Sequence, residues 1–183
     1  MGVCDPELAN QGVAFWRDVK VLGDDNALER FDIESIGLVN GVGQVVGSNI
    51  RQMVFEKQTS RGFHFPPLVH PTAWVDPTAD LSEGVQVMAS VVIQADASIG
   101  PNCIINTNSS VDHDCRLDGH THVAPGATIC GNVRIEAGVF IGCGANVIQG
   151  LHISHDAVVG AGVTLTRNLP AYQILLGPAV RKK

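Results

Sequence analysis

A histidine between two carboxylates, Asp112-His113-Asp114, is the first feature of the sequence that suggests chemistry. A carboxylate beside an imidazole holds the ring in one tautomer and stabilises its protonated form, which makes the imidazole more basic. A general base that works near neutral pH needs such a neighbour. His113 is therefore predicted to be a general base. A solvated histidine at a turn is the alternative that spacing alone leaves open.

Gly131 is a second candidate, because it follows His113 by eighteen residues. Glycine has no side chain, so its backbone N–H is open to approach and can stabilise a developing oxyanion. The two residues can act together only if positions eighteen apart in the sequence lie together in space. That condition requires a regular fold between them.

A six-residue repeat supplies this fold and runs from Val75 to Pro170 without insertion or loss. The first residue of all sixteen hexads is aliphatic, the fifth is mostly small, and the second to fourth collect Gly, Asn, Asp, Pro and Ser. A period of six suits a short strand followed by a tight bend, and it does not suit a helix. Three hexads close a triangular coil, so residues eighteen apart stack at about 4.8 Å. The predicted fold is mainly β, with a parallel β-helix of about five coils over residues 70–183.

Residues 1–69 follow different rules and are predicted to form a small α/β module. A buried strand is predicted at Ile36-Gly37-Leu38-Val39-Asn40. An amphipathic helix is predicted from Asn49 to Ser60, with Ile50, Met53 and Val54 facing inward.

Composition and charge exclude several classes of function. The formal net charge is −6 and the only basic run is Arg181-Lys182-Lys183, so nucleic acid is not expected as a partner. No stretch resembles a membrane span or a signal peptide, which predicts a cytoplasmic protein without a membrane partner. Cys103 and Cys115 fall on the inward fifth position and no Cys-x-x-Cys pair occurs, so both are predicted to be core thiols without a disulfide framework.

The hexad run resembles the left-handed β-helix of the hexapeptide acyltransferases. More narrowly, residues 106–115, His122-Val123, Gly126-Ala127 and residues 131–133 resemble the group of sialic acid O-acetyltransferases and bacterial nucleotide-amino-sugar N-acetyltransferases. The resemblance covers nearly all of the chain, including Gly177-Pro178-Ala179 near the C-terminus. It implies acetyl-CoA as cosubstrate, no metal, and a homotrimer with the coenzyme between neighbouring prisms.

The resemblance also implies roles for individual residues. His113 matches the catalytic base, Asp114 matches an acidic residue (often Glu in the group) that raises its basicity, and Gly131 matches the glycine whose amide faces the thioester oxygen. The remaining matches are cosubstrate and acceptor contacts: His122, Cys143 and Ala161 for acetyl-CoA, Asn106 for the acceptor sugar, and Asp5 and Gly41 for the nucleotide.

One departure from the group concerns the N-terminal module. The group begins with a strand and a glycine-rich loop that holds the sugar-nucleotide phosphates, whereas this sequence begins at Met1-Gly2, past that loop. The module is therefore expected to be incomplete at its N-terminus. Gly41, Gly43 and Gly47 fill a Gly-x-Gly-x-x-Gly dinucleotide pattern only loosely, so a tight turn is expected there equally.

The predicted function is acetyl-CoA-dependent acetyl transfer to a sugar, specifically N-acetylation of a nucleotide-linked amino sugar in surface-glycan biosynthesis. Sialic-acid-type O-acetylation and a non-catalytic trimeric scaffold are alternatives. A zinc hydratase like the trimeric β-helix (γ-type) carbonic anhydrases is a third, with His113, His120 and His122 as ligands. Those enzymes use a His-x-x-x-x-His pair, whereas the spacings here are seven and two.

Overall fold

The computed structural model describes residues 1–177, which fall into two compact units. The first unit is Met1–Gly37 and the second begins at Leu38. The basic run at residues 181–183 and the Pro178-Ala179 part of the C-terminal match lie outside the described residues. By their contacts, residues 38–69 group with the β-helix, whereas the sequence assigned them to the N-terminal module. The predicted division into domains at residue 69 stays a prediction.

The first unit is built on a three-stranded sheet. Strand β1 (Gly2–Cys4) pairs in parallel with β3 (Val19–Gly23), which pairs in an antiparallel manner with β2 (Phe15–Trp16). Helix α1 (Pro6–Asn10) follows β1, and a 3₁₀-helix at Asp25–Arg30 follows β3.

Residues 68–175 form a parallel β-helix of eighteen two-residue strands in three sheets, here called the first, second and third faces. The first face holds seven strands: Leu68–Val69, Gln86–Val87, Ile104–Ile105, His122–Val123, Phe140–Ile141, Val158–Val159 and Ile174–Leu175. The second face holds six: Trp74–Val75, Val92–Ile93, Ser110–Val111, Thr128–Ile129, Asn146–Val147 and Thr164–Leu165. The third face holds five: Asp80–Leu81, Ser98–Ile99, Arg116–Leu117, Arg134–Ile135 and His152–Ile153.

The register confirms the predicted eighteen-residue coil, since Ser110 pairs with Thr128 and Val111 with Ile129. Inside the prism, the first residue of every hexad from Val87 to Leu165 is at most 2% exposed. Each buried aliphatic side chain contributes about 1.5–3 kcal/mol, so the stacked coils supply their own core. Cys103 and Cys115 are completely buried, as predicted for core thiols, and both are free of disulfides.

The chain turns at three corners, which we number by the face that precedes each one. At every turn from Gly84 to Gly162, the fourth residue of the hexad has a φ between +56° and +75°. Glycine, asparagine and aspartate tolerate this left-handed conformation best, and they occupy twelve of these fourteen positions; Ser90 and His120 hold the others. The polar middle of each hexad is thus explained by backbone geometry.

Helix α2 (Ile50–Ser60) packs on the β-helix with a face that differs from the predicted one. Its buried residues are Arg51, Phe55 and Gln58, whereas Ile50 and Met53 are more than half exposed. The predicted inward face was therefore wrong. The surface beneath the helix includes backbone carbonyls, and that of Asn102 accepts a hydrogen bond from the Arg51 guanidinium. The predicted strand at residues 36–40 is also absent from the strands of the described chain.

No helix within residues 1–177 combines the length and apolar character that crossing a membrane requires.

Candidate active site

His113 lies on the second corner, two residues beyond the end of the strand Ser110–Val111. Its Nδ1 is 2.8 Å from Oδ2 of Asp114. A carboxylate oxygen only accepts hydrogen bonds, so Nδ1 carries the proton and Nε2 is left with a free lone pair. Asp114 occupies the left-handed turn position, with φ +59°.

The electrostatics of this corner make His113 more basic than usual. The hydrogen bond to Asp114 is the largest cause that raises the pKa of His113, and the charge of Asp112 adds to it. The Asp112 carboxylate also accepts a hydrogen bond from the His113 backbone N–H at 2.8 Å. Both partners of the His–Asp pair are open to solvent, with 60% and 59% of their side chains exposed. The pair therefore tunes a surface imidazole that a substrate can reach.

Gly131 lies one coil above His113, as its spacing predicted. A Cβ atom at Gly131 would sit 2.6 Å from Nε2 and 2.7 Å from Cε1 of His113, so only glycine lets the imidazole lie against this backbone. The His113 carbonyl accepts a hydrogen bond from Asn132 N–H at 2.8 Å, which ties the two turns together. Within residues 1–177, the Gly131 N–H donates no hydrogen bond. A base and an unused amide donor thus stand side by side. Their catalytic roles remain predictions.

Cys143 and Ala161 are neighbours on a different corner, the first. Gly162 N–H donates to the Cys143 carbonyl at 2.8 Å, and both Cys143 and Ala161 are exposed. Equivalent hydrogen bonds between turns connect this corner to the Pro125 and Thr107 carbonyls in the two preceding coils. The first and second corners bound opposite edges of the second face. A single chain therefore does not bring Cys143 and Ala161 together with His113.

Asn106 and His122 are brought into contact, with Asn106 Nδ2 3.4 Å from His122 Nε2. His122 is only 7% exposed and its ring packs 4.9 Å from that of Phe140. Burial, followed by the charge of Arg51, lowers the pKa of His122 to about 4, so its imidazole is neutral. Its Nδ1 is buried without a hydrogen-bond partner within residues 1–177. His122 thus differs from exposed Cys143 and Ala161, the other residues matched to acetyl-CoA contacts.

The two residues matched to nucleotide contacts lie in different units. Asp5 belongs to the first unit, where its carboxylate accepts hydrogen bonds from the N–H groups of Glu7 and Leu8 at 2.9 Å and caps helix α1. Gly41 belongs to the second unit and is exposed.

The three histidines of the zinc alternative do not form a cluster. His113 lies on the second corner, His120 on the third corner and His122 on the first face. In the part of the chain that the structure describes, no group of three or more His, Cys, Asp or Glu side chains is arranged to hold a metal ion.

The sequence missed a set of buried polar residues beneath helix α2, above all Arg51 and Asn40. Arg51 donates hydrogen bonds to the carbonyls of Asn40 and Val42, and Asn40 donates to the carbonyl of Arg51. The signal for Arg51 was its spacing, since positions 51, 55 and 58 share one helix face. Hydrophobic periodicity does not place an arginine on the buried side of a helix.

No protein-family model matches the chain. Among curated proteins, the chain is similar to the GDP-perosamine N-acetyltransferase of Escherichia coli O157:H7, with 31% identity over 118 residues, which make up 64% of this chain and 53% of that protein. The chain thus spans about half the length of this curated relative.

Solved structures give more extensive matches. The acetyltransferase domain of PglB from Neisseria gonorrhoeae, in complex with acetyl coenzyme A, is 32% identical with a TM-score of 0.83, covering 90% of this chain and 78% of that one. PerB from Caulobacter crescentus, in complex with CoA and GDP-perosamine, is 39% identical with a TM-score of 0.78, over 90% of this chain and 78% of that one.

Proposed function

Because the chain belongs to the hexapeptide-repeat, left-handed β-helix acyltransferases, we propose that it transfers the acetyl group of acetyl-CoA to the amine of a nucleotide-linked amino sugar. The observation that carries the proposal is the second corner, where His113 is hydrogen-bonded to Asp114 and lies against Gly131. The similar proteins supply the substrate classes, since one is solved with acetyl coenzyme A and another with CoA and GDP-perosamine.

The chemistry follows from the atoms at this corner. The sugar amine attacks the thioester carbonyl carbon, and His113 Nε2 accepts the proton that the amine loses. The Gly131 N–H donates a hydrogen bond to the oxyanion of the tetrahedral intermediate. When the C–S bond breaks, the imidazolium returns a proton to the departing CoA thiolate. Asp114 stabilises the imidazolium between these steps, and no covalent enzyme intermediate is needed.

The remaining predicted contacts suggest an assembly. Cys143 and Ala161 line the first corner, whereas His113 and Gly131 lie on the second. A homotrimer would set the first corner of one chain beside the second corner of its neighbour, and acetyl-CoA would lie in the groove between them. Size-exclusion chromatography with light scattering should then give about 58 kDa, three times the 19.3 kDa of one chain. A fully active monomer would refute the shared groove.

The acceptor contacts belong to the same proposal, with Asn106 near the sugar and Asp5 and Gly41 near the nucleotide. A cytoplasmic location is proposed because all five cysteines are free thiols, which suits a reducing compartment.

Acetyl transfer to a panel of UDP- and GDP-linked amino sugars, followed by mass spectrometry of the products, tests the activity. The wild-type chain should N-acetylate at least one of them. His113→Asn should lower kcat by about a hundredfold or more, because it removes the general base. A loss below about tenfold would exclude that role for His113. Acetylation of a hydroxyl in place of the amine would redirect the proposal to O-acetyl transfer.

A further inference from the structure

The segment from Asn40 to Gln44 presents a glycine-containing backbone to solvent. Gly41 and Gly43 are both exposed, and a Cβ atom added to either would meet nothing within 4 Å. Neither has a positive φ, in contrast to Gly47 with φ +80°. Packing and backbone conformation therefore do not require glycine at 41 or 43. What glycine provides there is close access to the main chain.

The inner side of this segment is held by Arg51 of helix α2. Its Nη1 donates to the carbonyls of Asn40 at 3.0 Å and Val42 at 2.7 Å, and its Nε donates to the carbonyl of Asn102 at 3.3 Å. Asn40 and Val42 flank Gly41, whereas Asn102 is a turn residue of the β-helix. One guanidinium thus joins the segment to the prism.

The burial of Arg51 is costly and is not offset by a carboxylate. The side chain is 3% exposed, and burial is the main cause that lowers its pKa to about 10. Within residues 1–177 the guanidinium donates hydrogen bonds to backbone carbonyl oxygens alone. Replacing Arg51 alone by an apolar side chain would leave these carbonyls without their donor, so the segment depends on the hydrogen bonds of the guanidinium.

Other polar side chains hold the same segment. Asn40 accepts a hydrogen bond from Val42 N–H at 3.1 Å, and Gln86 donates to the Asn40 carbonyl at 2.8 Å. Gln44 donates to the His120 carbonyl at 2.7 Å. The segment has no strand pairing of its own, so these side-chain contacts define its shape.

We propose that Arg51 is a positioning residue for the acceptor: it fixes the backbone at Gly41-Val42-Gly43 so that the exposed side of this backbone receives the nucleotide of the sugar substrate. The inference rests on the proposed function, since the nucleotide contact of Gly41 is part of it. It adds that acceptor binding depends on a residue that touches neither substrate nor solvent.

Isothermal titration of the full chain with GDP, UDP and CoA tests this. Arg51→Met keeps the volume but removes the hydrogen bonds, and Arg51→Lys keeps the charge but removes the planar fork. Both should raise the Kd of the better-binding nucleotide by about tenfold or more, while the Kd of CoA changes by less than about twofold. Arg134→Met, at an exposed position on the third face, removes one positive charge as the matched control and should change neither.

Gly41→Leu is a second test that leaves the Arg51 contacts in place. The added side chain enters open space, so the melting temperature should be unchanged while nucleotide affinity falls. The inference is overturned if nucleotide and CoA affinities fall together with the melting temperature, if Arg51→Met leaves nucleotide affinity intact, or if the wild-type chain binds neither GDP nor UDP. Failure of the proposed function would show separately, as acetyl transfer that does not depend on His113.

Discussion

Replacing Gly131 by alanine should separate catalysis from folding. The new methyl group would lie 2.6 Å from His113 Nε2, where ordinary contact begins near 3.4 Å. The imidazole must therefore retreat by about 0.8 Å, a displacement of the size that costs about a hundredfold in rate when reacting groups are misplaced. The same movement pulls Nδ1 away from the Asp114 carboxylate, which now lies at 2.8 Å. We expect kcat to fall by about a hundredfold.

Stability should change little, because the atom in the way belongs to an exposed side chain. The His113 side chain is 60% exposed and can move into solvent. An imperfect rotamer costs about 0.5–1.5 kcal/mol, which corresponds to about 1–6 °C in a chain of this size. Gly142→Ala is the contrasting control, because its Cβ would meet backbone atoms, with Ala161 N at 2.5 Å and Gly160 C at 2.7 Å. Gly142→Ala should therefore lower the melting temperature more than Gly131→Ala does.

Steady-state acetyl transfer checks the predicted fall in kcat, and scanning calorimetry on the same preparations checks the predicted small change in stability. The affinity for acetyl-CoA should stay within about threefold, since the amide of residue 131 is still present. If Gly131→Ala kept kcat within about threefold of wild type, His113 would not act as general base from its position against Gly131. A fall of more than about 10 °C would show that the backbone, and not the His113 side chain, absorbs the clash.

Three further variants address other parts of the molecule. Asp114→Asn removes the main cause of the raised pKa of His113. Activity requires the neutral imidazole and rises with pH through this pKa, so the acidic limb of the kcat/KM profile should move to lower pH. An acidic limb that does not move would contradict the assignment of His113 as the base. Cys130→Ser should keep kcat within about twofold in the same acetyl-transfer assay, since general-base catalysis needs no thiol, and a loss above about tenfold would point to covalent chemistry. Phe55→Ala removes a buried ring 4.8 Å from that of Phe65 and should cost about 3–5 kcal/mol in urea unfolding, whereas a cost below about 1 kcal/mol would mean that helix α2 contributes little to stability.

The β-helix was predictable because each hexad meets the same local demands. The aliphatic first position faces inward, and the fourth position needs a residue that tolerates positive φ. Both demands are visible as residue types, so strand positions followed directly from the phase. The stacking of His113 and Gly131 followed as well, because the phase runs unbroken between them.

Helix α2 was predictable as a helix, but its buried face was not. Ile50 and Met53 are the apolar choice for an inward face, yet the structure buries Arg51. The reason is tertiary, since the carbonyls of Asn40, Val42 and Asn102 become available to Arg51 only after the chain has folded. A hydrophobicity pattern contains no information about such partners.

The separation of Cys143 from His113 follows from the sequence. The two residues are thirty positions apart, which is not a multiple of eighteen, so they fall on different corners. The same arithmetic that stacked His113 under Gly131 divides the candidate site between two edges of the prism.

Because the hexad phase is unbroken, the position of a residue in the sequence determines the face or corner on which it lies. Loss of one residue between His113 and Gly131 would rotate every later side chain to a wrong position, turning core aliphatics outward and moving the glycine away from the imidazole. An insertion of eighteen residues below His113 would only lengthen the prism by one coil, about 4.8 Å, and would carry the intact pair upward. The fold therefore tolerates evolutionary change in length in whole coils, and is intolerant of single-residue slips.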